Sequence, residues 1–209
     1  MKRILVLLLA MCTYHICFSQ IDFDGQPINE YKAQNSFRNR FLHQTDSAFR
    51  LERNVDFELR LWFTKDNSQE VGLFILSVHS GKSKARCFRY SVSPITQLEE
   101  IAFSNKGTDS LLKNMIKNGI LTLPTQDSLN DRMIKYSKNY KDHENQPLQD
   151  KGFADCSYYN FEIFTPSKFR VYDYHCPAYY QQSYTHIEEL YRVCAILTLI
   201  EESIGISIL

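Results

Sequence analysis

The residue types able to do chemistry gather between Phe153 and Tyr191. His175, Cys176 and His186 are the kind of set a metal recruits, because imidazole and thiolate are the usual ligands of zinc and related ions. Asp155, Glu162 and Asp173 offer the paired carboxylates that glycoside hydrolysis divides between its two roles. Outside that stretch, Cys87 or Cys194 combined with His79 has the composition of a thiol nucleophile and its base.

Each set also has a plainer reading. In an oxidised chain Cys176 is a disulfide partner rather than a ligand, and His175 and His186 then fall at a strand end and a helix start. Cys87 and Cys194 lie in apolar patterns, whereas a reactive thiol needs an accessible, electropositive setting. Recurrent motifs are missing from the sequence: there is no GxSxG, Walker loop, GxGxxG or CxxC. His143-Glu144 is followed by Asn145-Gln146-Pro147, which departs from HExxH and would break its helix. The residues therefore assign no catalytic group, no metal and no cofactor.

Tyrosine is the residue type that stands out. Eight of the 13 tyrosines fall between Tyr158 and Tyr191. Tyrosine and arginine are enriched where proteins make contacts that matter energetically. This marks Tyr158, Tyr172, Tyr174, Tyr179, Tyr180 and Arg170 as candidate binding residues. Tyrosine is also an amphipathic filler for a half-buried sheet face, so core packing stands as the competing reading.

Both readings depend on the elements that hold these side chains. FADCSYYNFEIFTPSKFRVYDYHCP, residues 153–177, reads as two strands about a Thr165-Pro166-Ser167 turn. Placing Phe164 opposite Lys168 sets Ile163 against Phe169, Phe161 against Val171 and Tyr159 against Asp173. The other face then pairs Glu162 with Arg170, Asn160 with Tyr172, Tyr158 with Tyr174, and Cys156 with Cys176. A one-residue slip would exchange the faces of one strand, since side chains alternate with period two. This register predicts a Cys156–Cys176 disulfide and an outward tyrosine face. Cys87 and Cys194 are left as either a second bridge or buried thiols.

Upstream, Val55–Phe63 alternates apolar and polar residues as a half-buried strand does. Val71–Val78 is apolar on both faces, which suits a central strand. With Ser80–Ser83 as a turn, Lys84–Val92 returns antiparallel and sets Ile75 against Phe88. Leu111, Leu112, Met115 and Ile116 form a helical stripe ended by Gly119. Ile120–Pro124 suits a sheet edge. Residues 125–152 are polar and read as a mobile loop, with a short helix around Met133, Ile134 and Tyr136. Asn35–Leu42 places Phe37, Phe41 and Leu42 at helical spacing. Ser183–Ser203 is an amphipathic closing helix stopped by Gly205. The sum is an α+β single domain, an antiparallel sheet of about five strands with helices on one face.

Residues 1–19 have the basic start, short apolar core and small-residue end of a secretory signal peptide. Cys17 lacks the small preceding residues of a lipidation site, so Cys12 and Cys17 leave with the leader. The full chain has 24 basic and 24 acidic residues. Loss of Lys2 and Arg3 leaves the mature chain at −2, which gives no electrostatic case for nucleic acid or anionic lipid. The expectation is an exported, periplasmic or extracellular interaction module for an unknown protein or glycan of the cell envelope, with no membrane span in the mature chain. The alternatives are a hydrolase with a dispersed site and a structural envelope protein.

Overall fold

The computed structural model describes residues 55–64, 70–91, 98–139, 156–166 and 169–208. The leader, the Asn35–Leu42 stripe, the turn at 65–68, Asp155 and residues 140–152 lie outside the described residues. Six strands form one antiparallel sheet: β1 (Phe57–Thr64), β2 (Glu70–His79), β3 (Lys82–Ser91), β4 (Leu98–Ile101), β5 (Tyr158–Phe164) and β6 (Phe169–His175). Their order is β4-β3-β2-β1-β5-β6. Four helices pack with it: α1 (Thr108–Lys117), α2 (Gln126–Asn139), α3 (Pro177–Ser183) and α4 (Glu188–Ile204). The architecture is α+β, with one strand more than the sequence suggested. Among the described residues no helix is long and apolar enough to cross a membrane.

One sheet face carries the main core. Phe57, Leu59, Leu61 and Phe63 of β1, Phe74 and Leu76 of β2, and Phe161 and Ile163 of β5 meet the helices there. They are joined by Leu112 and Met115 of α1 and by Leu190, Val193, Ile196, Leu197 and Ile200 of α4. Burying each such side chain is worth about 1.5–3 kcal/mol, so this stripe-on-sheet contact is the main source of stability. Gly107 (φ 84°), Gly119 (φ 82°) and Gly205 (φ 69°) bound α1 and close α4 in the left-handed region, where a Cβ is costly.

The opposite face is buried as well. Trp62, Val71, Leu73, Ile75 and Phe88 form a second cluster on it. Glu58, Arg60, Asn160 and Glu162 share this face and are each at most 9% exposed. The expectation of a half-buried first strand is thus corrected: Glu58, Arg60 and Trp62 are withdrawn from water along with their apolar neighbours.

Two hairpin registers differ from expectation, with unequal consequences. Ser80 (φ 50°) and Gly81 (φ 74°) make a two-residue turn, tighter than the four-residue turn expected. Positive φ at both central positions is what a type I′ hairpin needs. His79 therefore pairs with Lys82, and Leu73 rather than Ile75 faces Phe88. This slip of two residues keeps every side chain on its expected face. In the β5–β6 hairpin, Phe164 pairs with Phe169, Ile163 with Arg170, Phe161 with Tyr172 and Tyr159 with Tyr174. That slip is one residue, so β6 is inverted relative to the expectation. Arg170, Tyr172 and Tyr174 point to the helices, not away from them.

Other boundaries move for local reasons. Leu98–Ile101 adds the edge strand β4, whose backbone joins β3 through Cys87–Ile101 and Tyr90–Leu98. Ile120–Pro124 is not a sheet edge but a turn following α1. The expected loop 125–152 opens with the 14-residue helix α2. The expected closing helix Ser183–Ser203 is α4, which starts later, at Glu188, because Tyr184–Ile187 is not helical; α3 is a further helix that the sequence did not suggest.

Cys156 and Cys176 are bonded, with Cα atoms 5.3 Å apart. They lie beyond the β5–β6 ladder rather than opposite each other within it. Cys176 takes a left-handed conformation (φ 52°), and its N–H donates to the Ser157 carbonyl at 3.0 Å. Cys87 and Cys194 are free thiols, both buried. Burial pushes each up to about 11. In folded protein near neutral pH, an alkylating reagent should leave both unmodified. After unfolding without reductant both should label, while Cys156 and Cys176 are recovered as one linked peptide. Labelling of Cys156 or Cys176 in that step would contradict the bridge.

Candidate contact surface

The sequence-selected residues separate into two groups, and the separation begins in the turn after α1. Asn118 caps that helix. Gly119 N–H donates to the Ile116 carbonyl at 2.9 Å, and Ile120 N–H to the Met115 carbonyl at 3.1 Å. This is the paired closure of a Schellman motif. Thr122 and Leu123 N–H then both donate to the Gly119 carbonyl, at 2.8 and 2.9 Å. The chain next has to expose its own carbonyls to the protein interior.

Three alternate residues of β6 supply the donors. Tyr172 donates its hydroxyl to the Ile120 carbonyl at 2.7 Å, and Tyr174 donates to the Pro124 carbonyl at 2.6 Å. Between them, the two terminal nitrogens of Arg170 donate to the carbonyls of Leu121 and Leu123. Arg170 also lies over the Tyr172 ring, 4.8 Å from its centroid. Tyr172 stacks on Phe161 at 4.9 Å. Tyr159, in the same layer, donates its hydroxyl to the Ile208 carbonyl. At the ladder end, the His175 N–H is taken by the Gln126 side-chain oxygen at the start of α2.

Burial raises the Tyr172 and Tyr174 hydroxyl pKa values well above the usual tyrosine range, so both remain protonated donors. Burial lowers that of Arg170. Tyr172 and Tyr174 are 1% and 0% exposed. Their proposed place on an outward face is therefore corrected: with Arg170 they cap backbone carbonyls inside the fold.

The remaining candidates stay within reach of solvent. Tyr158 is half-buried on the second sheet face and donates its hydroxyl to Asp173 at 2.7 Å. Tyr179 and Tyr180 are half-buried on α3. They begin an aromatic chain that the sequence reading did not assemble. Tyr179 meets Tyr180 edge to face at 6.0 Å, and Tyr180 stacks on Tyr184 at 6.1 Å. Tyr184 meets His186 at 6.3 Å. Tyr184 is buried at 7% exposure and Tyr180 packs on the main core, whereas His186 is exposed. The signal for this chain was the spacing of Tyr180 and Tyr184, which are helical neighbours at i and i+4.

The elements on either side fix that chain in place. Pro177 opens α3 directly after the bridged Cys176, which anchors it to the start of β5. The Tyr184 N–H closes α3 on the Tyr180 carbonyl at 2.8 Å. On the far side, Arg132 of α2 binds Glu189 of α4 at 2.6 Å.

Among the described residues, neither the metal-ligand set nor the His79–Cys87 pair converges. Cys176 is oxidised, and no His, Cys, Asp or Glu cluster able to hold a metal occurs among the described residues. His79 and Cys87 lie five ladder positions apart, roughly 17 Å at strand rise. Glu162 faces away from Arg170: it accepts the Trp62 indole N–H at 3.2 Å and pairs in register with Arg60. Arg60 in turn donates to Glu58 at 2.7 Å. Trp62 in the row between β2 and β5 was the clue that this face is not water-facing. A cleft of about 270 Å³ opens at one end of β1–β3, lined by Phe63, Gly72, Arg89, Ile101 and Ile206 among others. Arg89 is engaged by Glu99 at 3.0 Å, and Gly72 is required under the Phe63 ring, which a Cβ would enter at 2.0 Å.

No protein-family model matches the chain, and no curated protein or solved structure matches it. The side-chain geometry has to carry the functional reading.

The capping arrangement has a measurable cost. Tyr172→Phe and Tyr174→Phe each strip a donor from a buried carbonyl, which costs about 1–3 kcal/mol. Arg170→Met strips two and should cost more than either. Urea unfolding of the three variants tests this, and losses within the error of wild type would contradict the capping role.

Proposed function

We propose that the chain is an exported binding module that engages a protein or glycan of the cell envelope through the aromatic face of α3. The observation that carries this reading is the Tyr179–Tyr180–Tyr184–His186 chain. It runs from the buried Tyr184 to solvent, along a short helix tied down by a disulfide and the turn that follows it. Preorganisation of this kind lowers the ordering cost of association. Tyrosine adds large contact area with few rotatable bonds. Tyr158 and the exposed Tyr191 are further candidates, outside this continuous chain; Tyr191 is 40% exposed.

Export through the N-terminal leader belongs to the same proposal. The Cys156–Cys176 bridge supports it, because structural disulfides persist in oxidising compartments. A periplasmic or extracellular location follows from that reasoning.

The test is capture of envelope material on immobilised, disulfide-intact protein. Tyr179→Ala should reduce capture severalfold, and so should Tyr180→Ala. Arg86→Ala, which alters an exposed ion pair with Glu100 on the sheet, should leave it unchanged. Equal capture by wild type and both tyrosine variants would end this reading.

A further inference from the structure

We infer that the α3 surface is built for a neutral polysaccharide rather than for a charged protein partner, an inference that rests on the binding-module reading. In a chain with 23% charged residues, none of residues 177–187 (PAYYQQSYTHI) is Asp, Glu, Lys or Arg. What they offer instead is aromatic rings, carboxamides and hydroxyls.

Exposure follows the same division. Gln182, Ser183, Thr185 and His186 are exposed, and Tyr179, Tyr180 and Gln181 are half-buried beside them. A carboxamide both donates and accepts, and a hydroxyl does the same. These groups match the alternating donors and acceptors of a sugar ring's hydroxyls. A tyrosine face matches the apolar C–H face of that ring while its phenol stays wet.

Among the described residues, the two glutamates that follow the strip are each held by an arginine: Glu188 by Arg192 at 2.6 Å and Glu189 by Arg132 at 2.6 Å. A charged partner would therefore find little field to steer it and would lose solvation on contact. An uncharged polyhydroxylated ligand incurs neither cost.

Affinity electrophoresis of the full mature protein tests this. The gels contain soluble β-1,3-glucan, mannan, xylan or α-glucan, with alginate as the anionic comparison. At least one neutral polysaccharide should retard the wild type, and alginate should not retard it more. Tyr179→Ala should weaken that association about tenfold, equivalent to about 1.4 kcal/mol. Tyr179→Phe should retain most of it, and Gln182→Ala should weaken it severalfold. Gln182 is exposed and Tyr179 half-buried, and near-ultraviolet circular dichroism confirms that each variant is folded. Retardation by no neutral polysaccharide, or retardation unchanged in Tyr179→Ala and Gln182→Ala, overturns the inference. If envelope capture depends on Tyr179 but the captured material is protein alone, the glycan inference falls and the binding module stands. If capture is also independent of Tyr179 and Tyr180, both fall.

Discussion

The turn between α1 and α2 presents four carbonyls to the interior, and the fold depends on β6 to meet them. A buried carbonyl without a donor costs as much as a lost hydrogen bond, so this turn is stable only where donors are already aligned. Arg170, Tyr172 and Tyr174 provide the alignment because alternate strand residues share a face. Tyr172 reaches Ile120, Arg170 reaches Leu121 and Leu123, and Tyr174 reaches Pro124. The contact joins an edge strand, a helix end and the start of α2. It also fixes the orientation of β6, and hence where the bridged Cys176 and α3 emerge.

This dependence explains which parts of the fold were legible in the sequence. The β1 and β2 patterns, the α1 stripe and the Gly205 stop are local signals, and local physics decides them. The Ser80-Gly81 turn was placed too wide, yet the resulting slip by two residues kept inside and outside unchanged. At β5–β6 the Glu162–Arg170 and Cys156–Cys176 pairings argued for one register, and the carbonyls of a turn about 50 residues away demanded the other. That demand has no trace within the hairpin. The disulfide was correctly anticipated from a mistaken register, because the left-handed Cys176 carries the chain out of the ladder and back toward Cys156.

The same inversion redistributes the tyrosines. A dense cluster in sequence becomes an inner set that satisfies backbone and an outer set, led by Tyr179 and Tyr180, that reaches solvent. The second sheet face shows the opposite error. Glu58 and Arg60 have the alternation of a wet surface, but Trp62, Glu162 and Asn160 are buried with them. Charged residues in that position need partners, and Glu58–Arg60 and Trp62–Glu162 supply them. Functional reading therefore shifts from the hairpin to α3, whose sequence is uncharged and whose anchor is covalent.

The division into inner and outer tyrosines is measured most directly by nitration of the folded, disulfide-intact protein followed by peptide mapping. Tyr179 and Tyr191 should be modified readily, and Tyr172 and Tyr174 should remain unmodified until the protein is unfolded. Modification of Tyr172 and Tyr174 in the folded protein at rates matching Tyr179 would contradict the account.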